Sequence, residues 1–188
     1  MSAWHWRRRL ALLLLLGGGL GTPVLAAELR PVPEDQSAVL PADAKLVLLD
    51  FWASWCAPCR QSFPFMQSMQ QRYAAQGLQV VAISLDARAE DARRFLAQRE
   101  LDFALWHDPQ ARLVVDYPVQ VMPTSFLLDA QGRVLHRHSG FRAADAAPLE
   151  ARIRYYLATG TAPTAAAAGP AHVAAPAVSA TASKERRR

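Results

Sequence analysis

Two short apolar runs, Lys45 to Trp52 (KLVLLDFW) and Leu78 to Leu85 (LQVVAISL), bracket a stretch of helical periodicity. That pattern constrains the fold more than any other feature. Each run is too brief for an independent helix and is rich in strand formers. Between them Gln61, Ser62, Phe63, Phe65, Met66, Met69, Gln70 and Tyr73 recur at helical spacing. They predict a helix from Pro58 to Ala75, capped by Gly77 and kinked at Pro64, which removes a backbone donor. A strand–helix–strand unit of this length requires a right-handed crossover, so its strands pair in parallel.

The segments on either side extend this unit. Leu29 to Pro41 reads as a short edge strand or an arm over the sheet. Glu90 to Arg99 reads as a helix with Phe95 and Leu96 on its apolar side. Phe103 to Trp106 follows as a brief strand, and Ala111 to Tyr117 as a turn or short helix. Thr124 to Asp129 and Val134 to His138 are strands joined by a hairpin through Gly132. Ala143 to Ala158 closes the domain as an amphipathic helix with Leu149, Ile153, Tyr156 and Leu157 inward. The order predicts an α/β domain with a central mixed sheet and helices on both faces.

The ends of the chain are different polymers. Arg7-Arg8-Arg9, the apolar run Leu10 to Leu16 and the small residues Val24 and Ala26 form a secretory signal over residues 1–26, cut after Ala26. Residues 10–27 are also about as long as the shortest spanning helices, so the alternative is an uncleaved inner-membrane anchor, weakened by three consecutive glycines. Residues 27–44 form an N-terminal arm, and 45–158 the main domain. Residues 159–188 are Ala- and Pro-rich without apolar periodicity and read as a disordered tail with a basic tip. Membrane contact is expected only through the signal segment or that tip. The formal charge of +5 belongs to the ends: residues 27–158 hold 14 Lys and Arg against 15 Asp and Glu. A near-neutral core gives no case for nucleic-acid binding.

Cys56 and Cys59, the only cysteines, stand where the first strand ends and the helix begins. Unpaired N–H groups and the macrodipole at a helix start favour negative charge, so a thiolate at Cys56 is stabilised. A thiolate is the form that attacks disulfides. Other uses of the pair remain open. A structural disulfide closing so small a loop contributes only about 2 kcal/mol by the chain-entropy expression. A zinc site wants four ligands, and no second Cys pair or close His pair completes the set. His136 and His138 alternate on a strand and read as surface residues. Two unrelated buried thiols, or a copper-binding module using the Cys pair, complete the alternatives. No metal is expected.

At Phe51-Trp52-Ala53-Ser54-Trp55-Cys56-Ala57-Pro58-Cys59 the chain resembles the active-site strand and loop of the thioredoxin fold. Val121-Met122-Pro123-Thr124 resembles that fold's cis-proline segment, Pro64 its helix kink and Gly140 another recurrent position. The extra helix and strand between Asp86 and Asp108 are most similar to the TlpA/ResA branch of periplasmic thiol–disulfide oxidoreductases. The resemblance implies that Cys56 is the nucleophile and Cys59 the resolving cysteine, with their redox-active disulfide serving in place of a cofactor. It implies a cis Pro123 that sets the Met122 backbone beside Cys56. Trp55, Pro58 and Phe141 would shape substrate docking.

Asp50 is an acid in an otherwise apolar strand, expensive unless paired or protonated. It aligns with the buried acid of thioredoxins, where the TlpA/ResA branch commonly has Asn. It is the candidate proton relay for Cys59, its pKa raised by desolvation. Asp86 is the second candidate. Ala82 stands where thioredoxins carry a lysine, and Asp86-Ala87 where the ResA branch often carries a glutamate.

By this resemblance the chain is an exported, monomeric reductase of partner-protein disulfides, of the cytochrome c maturation or copper-centre assembly type. It would be re-reduced by a membrane-bound thiol electron donor, because an oxidising periplasm offers no reductant pool. Pro58 in the loop resembles reducing thioredoxins. The sequence shows neither a His between the cysteines nor the large helical insertion of DsbA-type oxidants. A disulfide oxidase or isomerase is the alternative direction. A thiol peroxidase would want a Thr where Ala53 stands.

Overall fold

A computed structural model describes residues 28–160; the segment read as a secretory signal and the tail beyond Gly160 lie outside the described residues. The strands are β1 (Leu29–Pro31), β2 (Leu46–Trp52), β3 (Leu78–Ser84), β4 (Ala104–His107), β5 (Thr124–Asp129) and β6 (Val134–Ser139). The α-helices are α1 (Ala57–Tyr73), α2 (Ala89–Leu96) and α3 (Ala146–Thr159). They build one sheet in the order β1-β4-β3-β2-β5-β6. β1, β4, β3 and β2 run parallel, while β5 is antiparallel to β2 and β6 to β5. The β2–α1–β3 unit is therefore the parallel crossover that its length demands. β4 enters the sheet between β3 and the edge strand β1, so α2 and β4 are the insertion between Asp86 and Asp108.

Alternation along β2 divides the core in two. Leu46, Leu48 and Trp52 face a cluster built with Phe63, Met66 and Met69 of α1, Leu96 of α2, and Ile153 and Tyr156 of α3. Val47, Leu49 and Phe51 face the opposite cluster, with Val39, Leu113 and Phe126. Helical cover is unequal on the two faces. The three α-helices pack on the first, and 3₁₀ turns at Gln36–Val39 and Arg112–Val115 supply the second.

Several boundaries move for local reasons. α2 stops at Leu96 rather than Arg99, whose guanidinium folds back 3.7 Å from the Phe95 ring centroid. A 3₁₀ turn at Ala143–Asp145 precedes α3, and α3 continues to Thr159 before Gly160 caps it. α1 runs through Pro64 to Tyr73 and tightens to a 3₁₀ turn before Gly77. Gly77 has a φ of 103°, and a Cβ there would sit 2.7 Å from Lys45 Cγ. Its carbonyl accepts from Lys45 N and Leu46 N at 2.9 and 3.2 Å, fixing where β2 starts against β3.

An aromatic knot sits beneath the C-terminal end of β2. Trp52 meets Phe63 and Phe95 at centroid distances of 4.9 Å each, and Phe63 meets Phe95 at 5.0 Å. Full burial of a ring such as Phe63 stabilises by about 1.5–3 kcal/mol, and the partly buried Phe95 contributes less. Gln70 of α1 adds a polar pin, its side-chain oxygen accepting from Val80 N at 2.8 Å. The first packs α1 against β2 and the second ties it to β3, and together they place its first turn.

Candidate active site

Cys56 is the N-cap of α1, with extended backbone at φ −81° and ψ 109°. The Cys59 N–H donates to Cys56 Sγ at 3.2 Å, so the helix end bonds the sulfur directly. That contact strengthens when the sulfur carries charge. Pro58 occupies the first turn of α1, where its missing N–H costs nothing. Cys56 and Cys59 are joined by a disulfide. Cys59 is wholly buried, while Cys56 is 4% exposed and opens onto a groove of about 510 Å³.

That groove is apolar. Trp55, Ala57, Pro58 and Leu85 line one part, and Ala111, Val114, Val119, Gln120, Val121 and Met122 the rest. Among the described residues no charged side chain lines it, and its lip includes Trp55 at 67% and Val121 at 54% exposure. The Met122–Pro123 peptide is cis. Two bonds hold this loop in place: Thr124 Oγ1 donates to Val121 O at 2.5 Å, and Gly140 N to Pro123 O at 2.7 Å. Gly140 has a φ of 76°, which explains a glycine at that position. Trp55, Pro58 and Met122 thus meet Cys56 in the groove, with Pro123 buried behind it. Phe141 does not line the groove; it is buried against Phe65 at a centroid distance of 5.5 Å.

On the sheet face where the pair packs lies Asp50, fully buried on β2. Ser125 Oγ donates to its Oδ1 at 2.5 Å, and Oδ2 has no hydrogen-bond partner. Desolvation pushes its pKa up to about 7, against the smaller downward pull of the Ser125 bond. Ala82 is its register partner on β3 and offers neither charge nor hydrogen bond. A carboxyl ionising near neutrality, on the face that packs against Cys59, is suited to accept and return a proton.

Asp86, the second candidate, is committed elsewhere. Its oxygens accept from Ser54 N at 3.0 and 3.2 Å, from Ser54 Oγ at 2.7 Å and from Ser84 Oγ at 2.9 Å. Both oxygens are therefore engaged in bracing the loop before Cys56. His136 is half-buried rather than at the surface, and burial, aided by Arg152 and His138, pushes its pKa down to about 4. His138 is also half-buried, its Nε2 3.6 Å from Asp145 Oδ2.

A buried cysteine pair at a helix start, a cis-proline loop lining the same groove and a buried acid on the same sheet face form one constellation. The sequence profile of Redoxin matches residues 21–153. The chain belongs to the Redoxin family. Within it, the chain is 32% identical over 96 residues to the thiol-disulfide oxidoreductase ResA of Bacillus cereus, covering 51% of this chain and 56% of that protein. It is 34% identical over 122 residues to the thiol:disulfide interchange protein DsbE homolog of Paracoccus denitrificans, covering 59% and 65%. The chain thus spans little more than half to two thirds of those relatives. A crystal structure from Chlorobium tepidum, provisionally named thiol:disulfide interchange protein DsbE, is 52% identical, with a TM-score of 0.60 over 62% of this chain and 82% of that one. The Redoxin fold with its inserted α2–β4 is thus that of the thioredoxin-like thiol–disulfide oxidoreductases.

Two parts of this Redoxin site escape sequence reasoning. Ser125 sits in a strand where Thr124-Ser125-Phe126 reads as ordinary alternation, and only the register shows it facing Asp50. The Ser54–Asp86–Ser84 brace joins residues up to 32 positions apart. Its one sequence signal is an acid at the end of a buried strand.

Proposed function

We propose that this protein is an exported thiol–disulfide oxidoreductase that reduces disulfides in partner proteins. The observation carrying this reading is the combination of two features: a Cys pair at the start of α1, and a buried carboxyl titrating near neutrality on the same sheet face. In the reduced protein the Cys56 thiolate attacks one sulfur of the partner's disulfide. A mixed disulfide forms, and the partner's other sulfur leaves as a thiolate that takes a proton. Asp50 then accepts the Cys59 proton, and the Cys59 thiolate attacks Cys56 Sγ. The mixed disulfide breaks, the second partner thiolate departs and is protonated, and the Cys56–Cys59 disulfide remains. Two electrons pass to the partner.

Trp55, Pro58 and Met122 present the groove to an extended partner segment, cis Pro123 sets the loop that carries Met122, and Phe141 supports it from behind. The absence of charge in the lining favours apolar residues around the target cysteine. The pair needs no cofactor beyond its own disulfide. A membrane-bound thiol donor would regenerate the dithiol, and the protein would act as a monomer in the periplasm on substrates such as the oxidised cysteine pairs of apocytochrome c or of copper-handling proteins. Single-turnover exchange with a disulfide peptide tests the reading. Cys56→Ser should abolish exchange, and Cys59→Ser should stop it at a mixed disulfide visible by mass spectrometry. Wild-type turnover by Cys59→Ser would overturn the two-cysteine mechanism.

A further inference from the structure

Asp50 and Ser125 are direct cross-strand partners on β2 and β5, so their side chains share one sheet face. Residue parity puts Asp50 on the face of Leu48 and Trp52, where Cys59 packs. The carboxyl is fully buried, and its two oxygens are unequal. Oδ1 accepts from Ser125 Oγ at 2.5 Å; Oδ2 has no partner. Around it, β3 presents Ala82 and β6 presents His138, the register partner of Ser125, which is drawn to Asp145. The helices on this face bring Cys59 and Ser62 from α1, and Tyr156 from α3, whose hydroxyl donates to Leu135 O. Ser62 is likewise engaged, donating to Cys59 O at 3.0 Å. Among the described residues, Ser125 is the one hydrogen-bond partner of the Asp50 side chain.

We propose that Ser125 is a positioning residue for Asp50: its hydroxyl commits Oδ1 and leaves Oδ2 as the single oxygen free to take the Cys59 proton. This rests on the reading of Asp50 as the proton acceptor. A proton arriving at Oδ2 leaves the Ser125 bond to Oδ1 intact, so transfer requires no rearrangement of the carboxyl. A hydroxyl donating to the charged form also favours that form. Ser125 therefore keeps an otherwise unaided buried acid able to ionise. A lysine would do this by charge; here, with Ala82 on the neighbouring strand, a neutral hydroxyl does it.

The test follows the Asp50 carboxyl by ¹³C NMR titration, and the pH profile of mixed-disulfide resolution, in Ser125→Ala, Ser125→Thr and Asp50→Asn. Ser125→Ala should raise the Asp50 midpoint by about one pH unit and move the resolution profile alkaline by the same amount. Below the midpoint that is about tenfold slower resolution. Ser125→Thr should restore both. If Asp50→Asn flattens the profile while Ser125→Ala leaves midpoint and profile in place, the relay stands and the role of Ser125 is overturned. If Asp50→Asn leaves the profile unchanged, the relay fails and this proposal fails with it.

Discussion

Asp50→Asn turns the buried carboxyl into a stability measurement. The wild-type group titrates at about 7 in the folded protein and at 3.8 in the unfolded chain, a gap of roughly three units. At about 1.4 kcal/mol per unit, the gap corresponds to about 4 kcal/mol. Full burial means that solvent screening does not reduce it. The sign follows from proton counts. Below pH 3.8 both states hold the proton, and the contribution to stability is fully present. As pH rises towards about 7 the folded state keeps a proton that the unfolded state has released, so stability falls. Above the folded pKa the loss is complete. Asparagine does not titrate, and its side-chain carbonyl can still accept from Ser125. Urea unfolding of both oxidised proteins from pH 4 to 8 isolates the effect, because every other group cancels in the difference. The variant should gain about 4 kcal/mol on the wild type across that range. A difference that stays flat with pH would refute the claim that Asp50 is held near neutrality.

Further outcomes follow from the same geometry. Asp86→Ala strips the acceptor from Ser54 N, Ser54 Oγ and Ser84 Oγ; it should cost about 1–3 kcal/mol in urea unfolding and slow attack by Cys56 on a disulfide peptide. Gly140→Ala meets open space, so its cost is conformational: about 1–2 kcal/mol in thermal unfolding from a side chain at positive φ. Val121→Asp places a charge on the groove's apolar lip; KM for an apolar disulfide peptide should rise about tenfold with the Cys56/Cys59 potential unchanged.

Much of the fold and of the site is legible in the order of the amino acids, because the informative residues are local. The β2–α1–β3 unit follows from periodicity within 41 residues, 45–85, and Cys56 and Cys59 announce themselves by their place at its first junction. Asp50 stands out because an acid among seven buried strand residues demands a reason. Harder to read are contacts made by register and by long-range return of the chain. Ser125 faces Asp50 across 75 residues, and the Asp86 brace looks in sequence like a second proton acceptor. Phe141 enters only through the resemblance, and burial against Phe65 keeps it out of the groove lining, a packing relation that sequence alone does not show. His136 misleads because β6, at the sheet edge, is nonetheless half-covered, with Arg152 of α3 close by.

The measurement that bears most directly on the proposed function is the equilibrium reduction potential of the Cys56/Cys59 couple in glutathione or dithiothreitol buffers. A reductase of partner proteins requires a value below about −230 mV, towards that of thioredoxin. A value above about −150 mV, towards that of DsbA, would contradict the account and make the same two cysteines an oxidising pair.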